Sequence, residues 1–114
     1  MANLANFAYD PVNYTYLRDL RVIDLFIKAL DSRNQYFVQY AVKGLCNCAI
    51  DPLIQHIICE KGGIDGLKNL VKSSDVDVIK NSLTTIIFLS SSPYHTGIAS
   101  LYMFTTSIAT LLLN

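Results

Sequence analysis

Apolar residues recur along the chain at intervals of three and four, which is the spacing that places side chains on one face of an α-helix. The clearest run follows Pro52, where Ile54, Ile57 and Ile58 keep this spacing before Gly62 ends the segment. No stretch alternates polar and apolar residues for long enough to predict a β-strand. The pattern therefore predicts an all-α chain.

The helix signals fall into two similar sets, each with a short, a medium and a long helix. Asp10 and Asp51 each precede a proline, and an aspartate cap followed by proline at the first helical position is typical of a helix start. The first set is predicted at residues 11–19, 22–30 and 35–49. The second runs from Pro52 to the glycine pair at 62–63, from 64 to Ser73, and from the cap Asp75 through residue 88. Pro93 is predicted to open a further helix.

The two sets reflect an internal repeat with a period of 41 residues, as in the step from Pro11 to Pro52. This register aligns eight identical pairs, where roughly two or three are expected by chance from average residue usage. A period near 40 is typical of helical solenoids. The identical pairs are Leu4/Leu45, Asn6/Asn47, Ala8/Ala49, Asp10/Asp51, Pro11/Pro52, Ile23/Ile64, Asp24/Asp65 and Ser32/Ser73.

Three short segments carry a resemblance to the armadillo-repeat family. Leu4–Phe7 and Leu45–Cys48 resemble the Leu-x-Asn-Leu close of an armadillo third helix, and residues 61–70 resemble the glycine-containing corner between first and second helices. The resemblance implies a right-handed α-solenoid of three-helix repeats with a period near 41. It places a partial first unit and about two further units in residues 1–97, followed by a divergent apolar segment, 98–114, that is expected to be helical.

One branch of the armadillo family is similar over about residues 2–92, including the tyrosine-rich stretch within residues 4–17. This resemblance implies a nuclear scaffold of the minor spliceosome that binds an RRM-type protein, RNA-binding motif protein 48, in splicing minor-class introns. Small nuclear RNA would be contacted only through that partner. Compared with this branch, the chain lacks an N-terminal helical unit, so an exposed apolar end and self-association are expected.

A partner surface is expected along successive third helices, where armadillo arrays bind. Four positions of the long helix, spaced by four, three and four, share one stripe, and a step of one period carries the stripe to the next long helix. Tyrosine, amide and charged side chains suit a protein-binding surface. The candidate protein-binding residues are Asn6, Tyr36, Tyr40, Lys43, Asn47, Asp77 and Asn81.

A structural role is the alternative for the same stripe. Tyrosines four residues apart are often half-buried packing residues, and the repeated asparagine can satisfy backbone groups of a neighbouring helix. The opposite stripe of the long helix is predicted to be core, with Gly44 permitting close helix packing. The predicted core residues there are Val38, Ala41, Leu45 and Cys48.

Composition narrows the classes of function. Nine Lys and Arg residues balance nine Asp and Glu, so there is no basic surplus for direct nucleic-acid binding. The 52% hydrophobic and 16% charged residues exclude a disordered chain. Three cysteines do not form a disulfide framework and favour a reducing compartment.

Catalytic and metal-binding patterns are weak. Cys46 and Cys48 would lie about 200° apart around a helix and cannot share a metal, while His56 and His95 lack partners at ligand spacing. The chain is predicted to be no enzyme and to hold no cofactor and no metal.

Two further functions stay open. One is a generic cytoplasmic adaptor that binds an extended peptide on the third-helix face. Because the chain has no tryptophan, a basic-peptide clamp of the nuclear-import type is not expected. The other is a tail-anchored protein that uses Ile98–Leu113, although this stretch is shorter than the roughly 20 residues of a membrane span.

Overall fold

The computed structural model describes residues 1–92 of the chain, and these residues are helical with short connections. The repeat has the predicted three-helix organisation. The elements are α1 (Ala2–Phe7), a 3₁₀ turn (Pro11–Asn13), α2 (Tyr14–Asp19), α3 (Val22–Ala29), α4 (Gln35–Cys48), α5 (Pro52–Glu60), α6 (Gly63–Leu70) and α7 (Val76–Ser90). We call the segment from the 3₁₀ turn to α4 the first unit, and α5 to α7 the second unit.

The predicted period is confirmed by the helix boundaries. When the residue numbers are shifted by one period, α3 coincides with α6 residue for residue. The shifted α4 coincides with α7, which is one residue longer at its C-terminal end. The same step carries α1 onto residues 43–48, the last residues of α4. Equivalent sequence therefore forms equivalent structure in the two units.

The two units differ where their first helices begin. Asp51 accepts a hydrogen bond from the N–H of Ile54 and opens a regular α-helix, as predicted. Asp10 instead accepts from the N–H of Val12, only two residues on, and the chain makes a 3₁₀ turn before α2. The predicted α-helix at 11–19 thus begins three residues later than expected, at Tyr14. The start predicted at Pro93 and the helical segment predicted at 98–114 lie outside the described residues.

The corner between first and second helices uses the left-handed backbone region in both units. Gly62 has a φ of +78° there, and the equivalent residue of the first unit, Arg21, has a φ of +56°. Glycine reaches this region without a steric cost, whereas a residue with a Cβ does not. The glycine-containing corner is therefore confirmed in the second unit, and the first unit forms the same corner without glycine.

The core lies where the third helices α1, α4 and α7 stack side by side, with α3 and α6 packed beneath them. The predicted core stripe of α4 is confirmed, since Val38, Ala41, Leu45 and Cys48 are all buried. Gly44 is buried beneath the ring of Phe26, and a Cβ built on it would lie 2.5 Å from Phe26 Cζ. Close packing at Gly44 is thus confirmed as well.

Polar contacts also join the first unit to the second. Arg18 Nη1 lies 2.9 Å from Asp51 Oδ2, and the same carboxylate caps α5. Both side chains are about one-fifth exposed, at 23% for Arg18 and 19% for Asp51. The ion pair therefore fixes α2 of the first unit against the start of the second.

Within residues 1–92, no helix combines the length and the apolar character that a membrane crossing requires.

Candidate functional site

A groove of about 390 Å³ runs between α4 and α7, on the face where the sequence predicts a partner surface. We call it the α4–α7 groove. Both helices contribute polar side chains to it, because their apolar stripes face the core below. The lining residues are Gln39, Tyr40, Lys43, Asn47, Asp75, Asp77, Val78 and Asn81.

Five of the seven candidate binding residues meet in this groove. Tyr40, Asn47 and Asn81 are half-buried there, while Lys43 and Asp77 are exposed at its rim. The internal repeat predicts this juxtaposition, because a step of one period places equivalent faces of neighbouring third helices side by side.

The other two candidates lie elsewhere. Tyr36 lies on the first turn of α4 with 69% of its surface exposed. Asn6 is exposed on α1 and does not line the groove. Neither residue shares a site with the other five.

Sequence reasoning missed two important groove residues. Gln39 Nε2 donates a hydrogen bond to Asp75 Oδ2 at 2.7 Å, which ties α4 to the start of α7. Asp75 also caps α7, as predicted, by accepting from the N–H groups of Asp77 and Val78. Gln39 lies four residues before Lys43, so helical spacing alone predicts that Gln39 and Lys43 share the groove face of α4.

These hydrogen bonds also set the charge of the groove. The Gln39 amide and then the backbone N–H of Val78 lower the pKa of Asp75 below its ordinary value. Asp75 is therefore a carboxylate at neutral pH, beside Asp77 and opposite Lys43. A groove with two carboxylates and one ammonium group does not favour nucleic-acid phosphates, and it suits a protein ligand with mixed polar groups.

Asn47 has a structural role, since its amide satisfies a backbone group of a neighbouring helix. Its side-chain Nδ2 donates to the backbone carbonyl oxygen of Ala5 at 2.9 Å, and its backbone carbonyl oxygen accepts from the hydroxyl of Tyr14 at 3.1 Å. Ala5 lies in the last turn of α1, where helix carbonyls lack partners within their own helix. Asn47 thus joins α1, α2 and α4, and presents only part of its side chain to the groove.

Replacing Asn47 by alanine is expected to lower the free energy of unfolding by about 1–2 kcal/mol, because the carbonyl of Ala5 loses its donor. Urea denaturation followed by circular dichroism measures this loss. The matched control is Asn6→Ala, at the equivalent and exposed position, which we expect to stay within about 0.5 kcal/mol of the parent chain. Equal effects of the two substitutions would contradict the structural role of Asn47.

The thiols of the chain are held in the protonated form. Burial raises the pKa of Cys48 to about 12, and burial is also the main cause of the raised pKa values of Cys46 and Cys59. No group of three His, Cys, Asp or Glu side chains that could hold a metal ion occurs within residues 1–92. His56 is half-buried on α5, and His95 lies outside the described residues.

Comparisons with known proteins agree with the repeat and the fold. No protein-family model matches the chain. The chain is 38% identical over 91 residues to mouse (Mus musculus) Armadillo repeat-containing protein 7, an alignment that covers 80% of this chain and 46% of that protein. The chain thus spans about half the length of this relative.

Similarity to a solved structure adds support for the fold alone. A crystal structure of an engineered protein from the Northeast Structural Genomics Consortium superposes with a TM-score of 0.84 and 22% identity, covering 99% of this chain and 47% of that one. This similarity and the internal repeat make the chain an all-α solenoid. The identity to the mouse protein makes it an armadillo-repeat protein similar to Armadillo repeat-containing protein 7.

Proposed function

We propose that the chain is a non-catalytic scaffold of the minor spliceosome that binds an RRM-type protein, RNA-binding motif protein 48, and so supports splicing of minor-class introns. In this role it acts in the nucleus, and it contacts minor-class small nuclear RNA only through its partner. The proposal draws on the similarity to Armadillo repeat-containing protein 7.

The α4–α7 groove is the observation that carries the binding role. It gathers a tyrosine, three amides and three charged side chains from two neighbouring third helices, and these groups can pair with a protein's backbone and side chains. The zero net charge of the chain and the two carboxylates in the groove support indirect rather than direct contact with RNA.

The proposal predicts that a tagged chain recovers RNA-binding motif protein 48 and minor-class small nuclear RNAs from nuclear extract. The double charge reversal Lys43→Glu/Asp77→Lys is expected to reduce this recovery roughly tenfold, because both charges lie exposed at the groove rim. The variant keeps the net charge and leaves the buried residues untouched, so its helix content serves as the folding check.

The matched control is Lys61→Glu, an exposed charge reversal at the α5–α6 corner that is expected to leave recovery unchanged. Equal recovery by a folded groove variant would contradict the proposed site. Failure of the parent chain to recover either the protein or the small nuclear RNAs would contradict the proposed function.

The second candidate is a cytoplasmic adaptor that binds an extended peptide in the same groove. The amides of Gln39, Asn47 and Asn81 favour it, since amide side chains can pair with the backbone of an extended ligand. Groove-dependent recovery of proteins without an RRM domain, from cytoplasmic extract, would favour this adaptor over the spliceosomal scaffold.

A further inference from the structure

Ser74 presents a free hydroxyl group in the connection between α6 and α7. Its side chain is exposed, and its hydroxyl makes no hydrogen bond within residues 1–92. The neighbouring Ser73 differs, since it is half-buried and its Oγ accepts a hydrogen bond from the N–H of Asp75. Of these two adjacent hydroxyl groups, that of Ser74 is therefore the one free to react.

Acidic residues follow Ser74 at the first and third positions, Asp75 and Asp77. Asp77 is exposed, and its carboxylate makes no hydrogen bond with another described residue. Elsewhere in the sequence, no serine or threonine has an acidic residue at either of these two positions. Acidophilic protein kinases select serine and threonine by carboxylates at these positions, because the kinase surface that binds the substrate is basic. Ser74 therefore has the one matching sequence context in the chain.

The internal repeat shows that this acidic context belongs to the second unit alone. In the first unit, the residues equivalent to positions 74, 75 and 77 are Arg33, Asn34 and Tyr36. Asn34 caps α4 by accepting from the N–H of Tyr36, so a helix cap at this position does not need the charge of an aspartate. Arg33 is exposed like Ser74, so the fold accommodates a charged side chain at this repeat position.

We propose that Ser74 accepts a phosphoryl group from ATP, transferred by an acidophilic serine/threonine kinase. Ser74 Oγ forms a bond to the γ-phosphorus of ATP, and the bond from this phosphorus to the oxygen that bridges the β- and γ-phosphates breaks. ADP leaves with the electron pair of the broken bond, and the hydroxyl proton passes to the catalytic aspartate of the kinase. The product carries a charge of about −1.5 to −2 on the side chain of residue 74.

The backbone around Ser74 suits a kinase, which binds its substrate in an extended form. Residues 73–75 lie outside the helices, and Asp75 has an extended backbone with a φ of −90° and a ψ of 116°. The first turn of α7 has to unwind to bring Asp77 into the same extended segment. Val76 in this turn is 67% exposed, so unwinding it exposes little additional apolar surface.

Phosphorylation of Ser74 changes the charge at one edge of the α4–α7 groove. Asp75 and Asp77 line this groove, and its other charged lining residue is Lys43. The phosphate roughly doubles the negative charge carried by residues 74–77, which otherwise comes from the two carboxylates. The effect of this charge on a partner in the groove rests on the proposed function, whereas the phosphoryl transfer itself does not.

The test is incubation of the purified full chain with casein kinase II and magnesium ATP that carries a radioactive γ-phosphate. Incorporation is expected to approach one phosphate per chain, and mass spectrometry of proteolytic peptides is expected to place it on Ser74. Ser74→Ala is expected to abolish incorporation. Asp77→Asn is expected to lower the initial rate roughly tenfold, because it removes the carboxylate at the third position.

The matched control is Asp65→Asn, which removes an exposed carboxylate from the first turn of α6 and should leave the rate unchanged. Circular dichroism checks that each variant is folded. No incorporation into the folded parent chain, incorporation on a residue other than Ser74, or equal rates for the parent chain and folded Asp77→Asn would each overturn the proposal. The assay contains no partner protein, so its failure is distinct from a failure to recover RNA-binding motif protein 48 from nuclear extract.

Discussion

Replacing Gly44 by alanine is expected to lower the free energy of unfolding by about 2–3 kcal/mol, because the new methyl group meets the buried ring of Phe26. An ideal Cβ at Gly44 lies 2.5 Å from Cζ and 2.7 Å from Cε2 of that ring. Phe26 is fully buried, so its ring cannot swing into solvent to make room. Urea denaturation of both chains, followed by circular dichroism in the far ultraviolet, measures the difference.

The second unit supplies the control for this prediction. There, the positions equivalent to Phe26 and Gly44 hold Leu67 and Thr85, a smaller residue at the first position and a larger one at the second. Phe26→Leu alone is expected to cost about 1 kcal/mol, and the double variant Phe26→Leu/Gly44→Ala is expected to lose less than the two single variants combined. Strict additivity of the two losses would show that the ring and the glycine do not constrain each other.

Replacing Asp51 by alanine is expected to lower the free energy of unfolding by about 2 kcal/mol, because one carboxylate serves two contacts. It caps α5 through the N–H of Ile54, which is worth about 1 kcal/mol, and it pairs with the partly buried Arg18, for which we allow a further ~1 kcal/mol. The shift of the thermal midpoint of the same chain provides an independent measurement.

Two variants separate the cap from the ion pair. Asp51→Asn keeps a capping oxygen and removes the charge, so it is expected to lose only about half as much stability. Asp10→Ala removes the exposed equivalent cap, whose carboxylate accepts from the N–H of Val12, and is expected to cost about 0.5–1 kcal/mol. If Asp10→Ala and Asp51→Ala lowered the free energy of unfolding equally, the ion pair between Arg18 and Asp51 would contribute nothing to stability.

Much of the fold is predictable from the sequence because its signals are local and occur twice. The Asp-Pro starts, the glycine corner and the apolar spacing each specify a helix boundary, and the internal repeat places them in register. The start at Tyr14 is the exception. It depends on whether the Asp10 carboxylate reaches the second or the third following N–H, which the residue types alone do not decide.

The candidate site is predictable to a lesser degree. Helical spacing places Tyr40, Lys43 and Asn47 on one face, and the repeat places Asn81 opposite them. Neither helical spacing nor the repeat shows that Asn47 turns its amide toward the carbonyl of Ala5, since this depends on how closely α1 approaches α4. Helical spacing also places Gln39 on this face, but the importance of Gln39 follows only from its contact with Asp75 across the interface.

The polar bonds between helices that are distant in sequence have a further consequence for how the chain folds. The contacts of Tyr14 with Asn47, Arg18 with Asp51, Gln39 with Asp75 and Asn47 with Ala5 close sequence separations of 33, 33, 36 and 42 residues. Each separation is close to one period, so every such contact closes a loop of about the same entropy. The entropy cost of bringing these helices together is therefore set by the length of one repeat. Neighbouring units can thus fold onto each other in steps that have similar entropy costs.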